Sequence, residues 1–231
     1  AAGKVADAKP MPLWIVPNRK LSVHDMEMAM RDHYEGTPFA LDSDIGGGIW
    51  EMPYRPTPLQ FKVDGKTYFN ERPVSTQQSG FVYVSQMRSW LPREVGGILW
   101  FGNDDANMVA FTPVYCCTPE APRAYNTPGV DNITFSMDNA FWVCNWVSNM
   151  VYPRYSQMFG SLQAVRDSLD KSYFAAQAEV EAKALSLSQS DRQAAVSYLS
   201  AYTADKAQQM LDTWKNLATY LIVKYNDMVV K

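Results

Sequence analysis

From Leu59 onward, the hydrophobic residues of this chain change their spacing once, close to Tyr152, and this change limits the folds that the chain can adopt. Before that point apolar side chains alternate with polar ones, as at Leu59, Phe61 and Val63, which is the period of a strand with one buried face. After it, apolar residues recur every three or four positions, which is the period of an amphipathic helix. Strands followed by helices predict an α+β fold.

A hairpin and four further strands are predicted before the change. Asp64 and Gly65 separate residues 59–63 from residues 67–69 and provide a tight turn. Short connections between consecutive strands predict antiparallel pairing. The further strands, each bounded by glycine or proline, are residues 81–87, 97–101, 108–115 and 132–137.

A short helix is predicted near the start of the chain. Ser22 and Asp25 have the spacing of a capping box, and apolar residues follow at helical spacing as far as Tyr34, before Gly36. Residues 37–58 contain four prolines and three consecutive glycines, so they predict a long ordered loop, and such loops often line sites.

Three helical segments are predicted in the last third of the chain. The first carries an apolar stripe over residues 162–180. A second capping box, formed by Ser190 and Gln193, opens the next segment, and the last begins at about Ala204.

Composition excludes several classes of protein. Hydrophobic residues make up 47% of the 231 positions, which excludes intrinsic disorder. A net charge of −3 without a basic block makes nucleic acid an unexpected partner. The longest apolar run, residues 97–101, is far shorter than the ~20 residues of a membrane-spanning helix. Two histidines and three cysteines without metal-binding spacing predict no metal, no other cofactor and no disulfide framework.

A polar segment, residues 70–80, lies between the hairpin and the next strand. It is dense in hydrogen-bonding side chains, and polar density at the mouth of a strand is typical either of a binding site or of a solvated connection. Arg88 follows the next strand, beside Trp90, where it needs an anion or an aromatic face. Asn103, Asp104 and Asp105 predict a turn.

Five sequence blocks resemble the cysteine dipeptidases, also called the dipeptidase A family, in the C-terminal half of those proteins. That family belongs to the N-terminal nucleophile hydrolases and is related to penicillin V acylase and bile salt hydrolase. The resemblance spans roughly residues 13–117. The blocks are RDHYEGTP at 31–38, FNER at 69–72, STQQSGF at 75–81, RSWLP at 88–92 and GILWFG at 97–102.

The resemblance implies an αββα sandwich, of which the antiparallel sheet predicted here forms part. It also implies a catalytic cysteine as the first mature residue, whose own α-amine is the general base. This sequence begins with Ala1. We therefore expect the nucleophile to belong to an N-terminal half of the same protein, and we expect this chain alone to be inactive.

The resemblance also suggests where this chain contributes to the site. Arg88 and Arg72 are the two catalytic candidates, because a fixed cation lowers the pKa of a thiol and stabilises a tetrahedral oxyanion. Gln77, Gln78 and Asn70 are candidates for binding the peptide substrate through amide hydrogen bonds.

Three regions are predicted: a linker at 1–12, a hydrolase sheet domain at 13–158 and a helical region at 159–231. Two alternatives to a dipeptidase remain open: a linear-amide hydrolase acting on acyl amino acids, bile salts or a penicillin, and a non-catalytic module that binds peptide or protein. The expected partners are a small peptide substrate, the N-terminal half and, through uncovered strand edges, a second copy. Both a cytoplasmic and an exported location are compatible with the sequence.

Overall fold

Two antiparallel sheets precede a helical region in the computed structural model, which describes residues 12–56 and 60–230. Most of the predicted linker, and Leu59 of the predicted hairpin, lie outside the described residues. In chain order the elements are α1 (Val23–Met30), β1 (Gln60–Val63), β2 (Lys66–Phe69), β3 (Phe81–Met87), α2 (Arg93–Gly96), β4 (Gly97–Asn103), β5 (Thr112–Tyr115), α3 (Ala140–Val151), α4 (Tyr155–Ser190) and α5 (Arg192–Tyr225).

The predicted hairpin is confirmed as β1 and β2. Val63 pairs with Lys66 across a two-residue turn. Asp64 and Gly65 both have positive φ, of 49° and 76°, which is the geometry that matches the twist of a two-residue hairpin. Every residue of both strands is exposed, so the hairpin projects from the body of the molecule.

The second sheet has the strand order β3-β4-β5, with both pairs antiparallel. Alternation along the strands gives it two different faces. The inner face carries buried Val82, Val84 and Trp100. The outer face carries Phe81, Tyr83 and Met87 of β3, all exposed, with half-buried side chains of β4 beside them.

The helices cover the inner face only. α4 and α5 are 36 and 34 residues long and pack against each other. α5 also lies against β5 and α3, so that Trp214 and Leu199 join Trp100 in one core. The predicted boundary at 158/159 falls inside α4, and the core continues across it. None of the described helices is both long and apolar enough to cross a membrane.

The predicted strand at 132–137 is wrong. Those residues form an irregular connection, in which the Asp131 side chain accepts a hydrogen bond from the Ile133 N–H at 3.0 Å. The ring of Phe135 packs against Trp142 and Trp146 of α3, with centroids 5.8 and 6.1 Å away. Aromatic residues there pack on a helix, so their strand propensity is overridden by tertiary contacts.

Other predicted boundaries also need correction. The strand predicted at 108–115 is confined to β5, because residues 106–108 form a 3-10 turn. The sequence did not predict α3, whose N-cap Asn139 accepts a hydrogen bond from the Trp142 N–H at 3.4 Å. α1 has the predicted capping box but ends at Met30, and Tyr34 has a φ of 65°.

The last two predicted segments are one helix. α5 runs without interruption through Ala204, and its N-cap is Asp191 rather than Ser190. The Asp191 carboxylate accepts hydrogen bonds from the N–H groups of Gln193 and Ala194 at 2.8 and 3.2 Å. A carboxylate at this position satisfies the free N–H groups of the first helical turn.

Candidate active site

The polar segment lies at the end of the second sheet where β3 begins and β4 ends. Ser75 fixes it there. The Ser75 hydroxyl donates a hydrogen bond to Oδ1 of buried Asp105 and accepts one from the Asn107 N–H at 3.0 Å. Its N–H donates to the carbonyl of Asp32 at 3.2 Å. These anchors hold the segment against both the β4–β5 connection and the residues that follow α1.

The two predicted substrate-binding glutamines are held differently. Gln77 is half-buried, and its Nε2 donates to the backbone carbonyl of Arg55 at 2.7 Å. Gln78 is exposed, and its Oε1 accepts a hydrogen bond from the Thr76 hydroxyl. The Nε2 of Gln78 has no partner in the part of the chain that the structure describes. Gln78 is therefore the glutamine with a donor available to a ligand.

Arg72 and Asn70 lie at the start of the same segment. Asn70 is half-buried, whereas Arg72 is exposed. Within residues 12–56 and 60–230, no carboxylate pairs with Arg72 and no hydrogen bond holds its guanidinium. Among the described residues, Arg72 thus carries an unpaired positive charge on the same segment as the glutamines.

Arg55 joins the loop that contains the three consecutive glycines, residues 46–48, to this polar segment. Its buried guanidinium lies 2.6 Å from Asp44 and 2.9 Å from Glu71, and it also donates to the carbonyl of Leu41 at 3.0 Å. A Cβ on Gly46 would lie only 2.7 Å from Arg55 Cζ, so a larger residue there would displace the guanidinium from its present position. Two chain segments that are distant in sequence therefore meet at one arginine.

Behind the segment lies a group of buried and half-buried rings around Asp105. The Tyr54 ring packs edge-on against His33, Tyr152 and Tyr155, with centroids 4.9, 4.8 and 6.0 Å away. Tyr152 donates its hydroxyl to Asp105 Oδ2 at 3.3 Å. Burial and then the charge of Asp105 raise the pKa of both Tyr54 and Tyr152 well above the usual value, so both hydroxyls stay protonated.

Asp104 makes the predicted turn between β4 and the 3-10 turn that follows. Its φ is 79°, in the left-handed region. Its carboxylate accepts hydrogen bonds from the Ser148 hydroxyl at 2.6 Å and the Asn145 amide at 3.0 Å. Burial raises its pKa to about 7 despite these bonds, so Asp104 titrates near neutral pH.

Arg88 lies at the opposite end of β3. Its Nη1 is 2.7 Å from the Glu181 carboxylate of α4, and its Nη2 donates to the carbonyl of Val95 at 3.0 Å. β3 is seven residues long, and at about 3.3 Å per residue it separates Arg88 from the polar segment by roughly 25 Å. Arg72, Asn70, Gln77 and Gln78 share one short segment of the chain, and the structure places Arg88 at the other end of β3.

None of the described cysteines has the environment of an activated thiol. Cys116 is exposed, Cys117 is half-buried and Cys144 is buried. Burial raises the pKa of all three thiols, which disfavours the nucleophilic thiolate. The described residues also contain no group of three or more histidine, cysteine or acidic side chains able to hold a metal ion.

A comparison with known protein families identifies the family of this chain. The model of peptidase family C69 matches residues 2–168 of the chain. The chain belongs to peptidase family C69. This confirms the resemblance of the five sequence blocks, all of which lie within the matched residues.

The C69 chain is also similar to Dipeptidase A of Lactobacillus helveticus. The two are 24% identical over 146 residues, which cover 63% of this chain and 26% of the relative. The C69 chain thus spans about a quarter of the length of the curated relative it matches.

Sequence reasoning missed several residues of this candidate site. Arg55 and Tyr54 lie in a proline-rich loop, and nothing in their neighbours indicates burial. Asp105 was predicted only as a turn residue, although two consecutive aspartates after an apolar strand are a signal for a buried carboxylate with partners.

Proposed function

We propose that this C69 chain is the C-terminal part of a cysteine-type dipeptidase that hydrolyses small unblocked peptides. The match to peptidase family C69 over residues 2–168 carries the proposal, and the similarity to Dipeptidase A narrows it to dipeptides. The nucleophile is an N-terminal cysteine outside this sequence. Its α-amine takes the thiol proton, the sulfur attacks the peptide carbonyl, the amine leaves with that proton, and water then hydrolyses the thioester.

The proposed sandwich accounts for the uncovered outer face. Phe81, Tyr83 and Met87 are 61%, 50% and 57% exposed, whereas the inner face is covered by helices. A sheet with apolar side chains on both faces normally packs against a further layer on each face. A second antiparallel sheet from the rest of the protein, laid on this outer face, would complete the αββα arrangement.

Within this chain, we assign the catalytic cation to Arg72. The support is its exposed guanidinium, unpaired among the described residues, on the same segment as Gln77, Asn70 and Gln78, of which Gln78 has an Nε2 available to orient the peptide backbone. Such a cation favours the thiolate and the oxyanion of the tetrahedral intermediate. Arg88 is neutralised by Glu181, which supports a structural role for it.

The test uses the complete gene product. We expect hydrolysis of unblocked dipeptides and none of acylated amino acids. Arg72→Ala should lower kcat/KM by about 10²-fold, in the range measured for loss of one oxyanion donor. Arg123→Ala is the matched control, because Arg123 is also exposed and without a described ion pair.

Three results would contradict parts of this proposal. Cleavage of acyl amides but not dipeptides would favour a linear-amide hydrolase, and hydrolysis of neither would favour a binding module. An Arg72→Ala variant with unchanged kcat/KM would remove Arg72 from the site. Peptide cleavage by the isolated 231-residue chain would disprove the external nucleophile.

A further inference from the structure

A second concave site lies at the Arg88 end of the sheet. It is a cavity of about 610 Å³ between the end of β3, α2 and the start of α5, and we name it the Arg93 cavity. Its volume is in the range of small-molecule sites. Met87, Leu91 and Val196 form an apolar wall, so an aliphatic group has a surface to pack against.

The charges in the Arg93 cavity do not balance. Arg88 is paired with Glu181 at 2.7 Å. Arg192 Nε is paired with Glu94 Oε2 at 3.1 Å, but its terminal nitrogens bond to nothing among residues 12–56 and 60–230. Arg93 is exposed and lacks any partner in that same part of the chain. Three arginines therefore face two carboxylates, which leaves one positive charge uncompensated.

The carboxylate that lines the cavity, that of Glu94, already has hydrogen-bond partners. Glu94 Oε1 accepts a hydrogen bond from the Ser188 hydroxyl, and Oε2 accepts from Arg192. These bonds favour the ionised form and lower the pKa of Glu94. Arg192 already balances the charge of Glu94, so the cavity offers a ligand ammonium no unpaired carboxylate and discriminates against cations.

The two thiols add no negative charge. Cys116 and Cys117 both line the cavity, and burial raises the pKa of each. Protonated thiols behave as small, polarisable apolar groups. They extend the apolar wall rather than compensating the arginines.

We propose that the Arg93 cavity binds a small monocarboxylate with an aliphatic side chain. The carboxylate would lie between Arg93 and the free nitrogens of Arg192, whose planar guanidinium matches carboxylate geometry. The aliphatic group would pack on Met87, Leu91 and Val196. This site is separate from the polar segment, and the inference does not rest on the proposed peptidase activity.

Calorimetric titration of the 231-residue chain tests the proposal. The probes are N-acetyl-L-leucine, its uncharged amide and L-leucine. We expect the acid to bind about tenfold more tightly than the amide, since only the acid makes charge-assisted hydrogen bonds. L-leucine should bind more weakly than the acid, because its ammonium finds no unpaired carboxylate in the cavity, and binding as tight as that of the acid would contradict the selectivity against cations.

Substitutions localise the binding. Arg93→Gln and Arg192→Gln should each weaken binding of N-acetyl-L-leucine several-fold, whereas Arg123→Gln, which removes an exposed arginine outside the cavity, should not. Circular dichroism verifies that the variants are folded. Equal affinity for acid and amide, no heat of binding at about 10 mM acid, or an Arg93→Gln/Arg192→Gln variant that binds normally would each overturn the proposal.

Discussion

Glu27 is a carboxylic acid buried on the inner side of α1. Neither of its oxygens accepts a hydrogen bond from any residue in the described part of the chain. Burial and then the charge of Asp170 raise its pKa to about 8, although Arg31 and Arg166 act in the opposite direction. Glu27 is therefore largely protonated at neutral pH.

This burial predicts a pH-dependent stability. The pKa of Glu27 rises from 4.5 to about 8 on folding, so between those values the folded state holds a proton that the unfolded state has lost. The free energy of unfolding then falls as pH rises, by up to about 1.4 kcal/mol per pH unit. Glu27→Gln should remove this contribution and be more stable than the wild type at pH 8.

Urea unfolding at pH 5, 6, 7 and 8 measures the effect. Glu179→Gln is the control, because Glu179 is exposed on α4 and its substitution should leave the pH dependence unchanged. A Glu27→Gln variant whose stability follows the same pH curve as the wild type would contradict the assignment.

Arg88, a catalytic candidate from the sequence, forms an ion pair with Glu181 in the structure. Its side chain and that of Glu181 are only 10% and 14% exposed. Removing one partner of such a pair leaves a buried charge, at a cost of about 3 kcal/mol, whereas replacing both is often close to neutral. We predict that Arg88→Met strongly destabilises the chain and that Arg88→Met/Glu181→Leu recovers most of the loss.

A double-mutant cycle by chemical denaturation gives the coupling energy of this pair. Additive losses in the double variant would show that the two side chains act independently, contrary to the ion pair.

At the scale of elements, the junction of α4 and α5 depends on one cap. Asp191 accepts two N–H groups at the start of α5, whereas the Ser190 hydroxyl donates to the Leu187 carbonyl at 3.3 Å. Replacing an N-cap acceptor by alanine typically costs ~1 kcal/mol. We predict that loss for Asp191→Ala and a much smaller change for Ser190→Ala.

Thermal unfolding of the two variants compares them directly. Because both residues are exposed and adjacent, the pair controls for general effects of substitution at this turn. A larger loss of stability for Ser190→Ala would instead support the capping box of Ser190 and Gln193 that the sequence predicts.

At the scale of the whole molecule, the uncovered outer face predicts self-association. Exposed apolar surface favours contact with another chain, and so does the edge of β3, which pairs with no further strand within residues 12–56 and 60–230. We predict that the isolated chain forms dimers or larger species and that Phe81→Lys/Tyr83→Glu shifts it toward the monomer. Light scattering during size-exclusion chromatography at several concentrations measures this.

Ile222→Lys/Val223→Glu is the matched control, because those residues of α5 are 58% and 59% exposed but lie outside the outer face. A wild-type chain that is monomeric at every concentration would refute the prediction. If both double variants dissociate equally, the contact between copies does not depend on the outer face.

The sequence alone determined the features that depend on local pattern. The hairpin at Asp64–Gly65, the cap at Ser22, the apolar stripe of α4 and the order of strands before helices follow from turn chemistry and spacing. The family resemblance also came from contiguous residues, since each block is a short uninterrupted run. These features can be predicted from the sequence because the residues that produce them are neighbours in the chain.

Only the tertiary structure decided which polar residues meet. Side-chain hydrogen bonds join Arg55 to Glu71, Arg88 to Glu181 and Ser75 to Asp105, across sequence separations of 16 to 93 residues. The tertiary structure also assigned the aromatic residues of 132–137 to helix packing. Burial and ion pairing depend on which distant segments share the core, and no local periodicity specifies that.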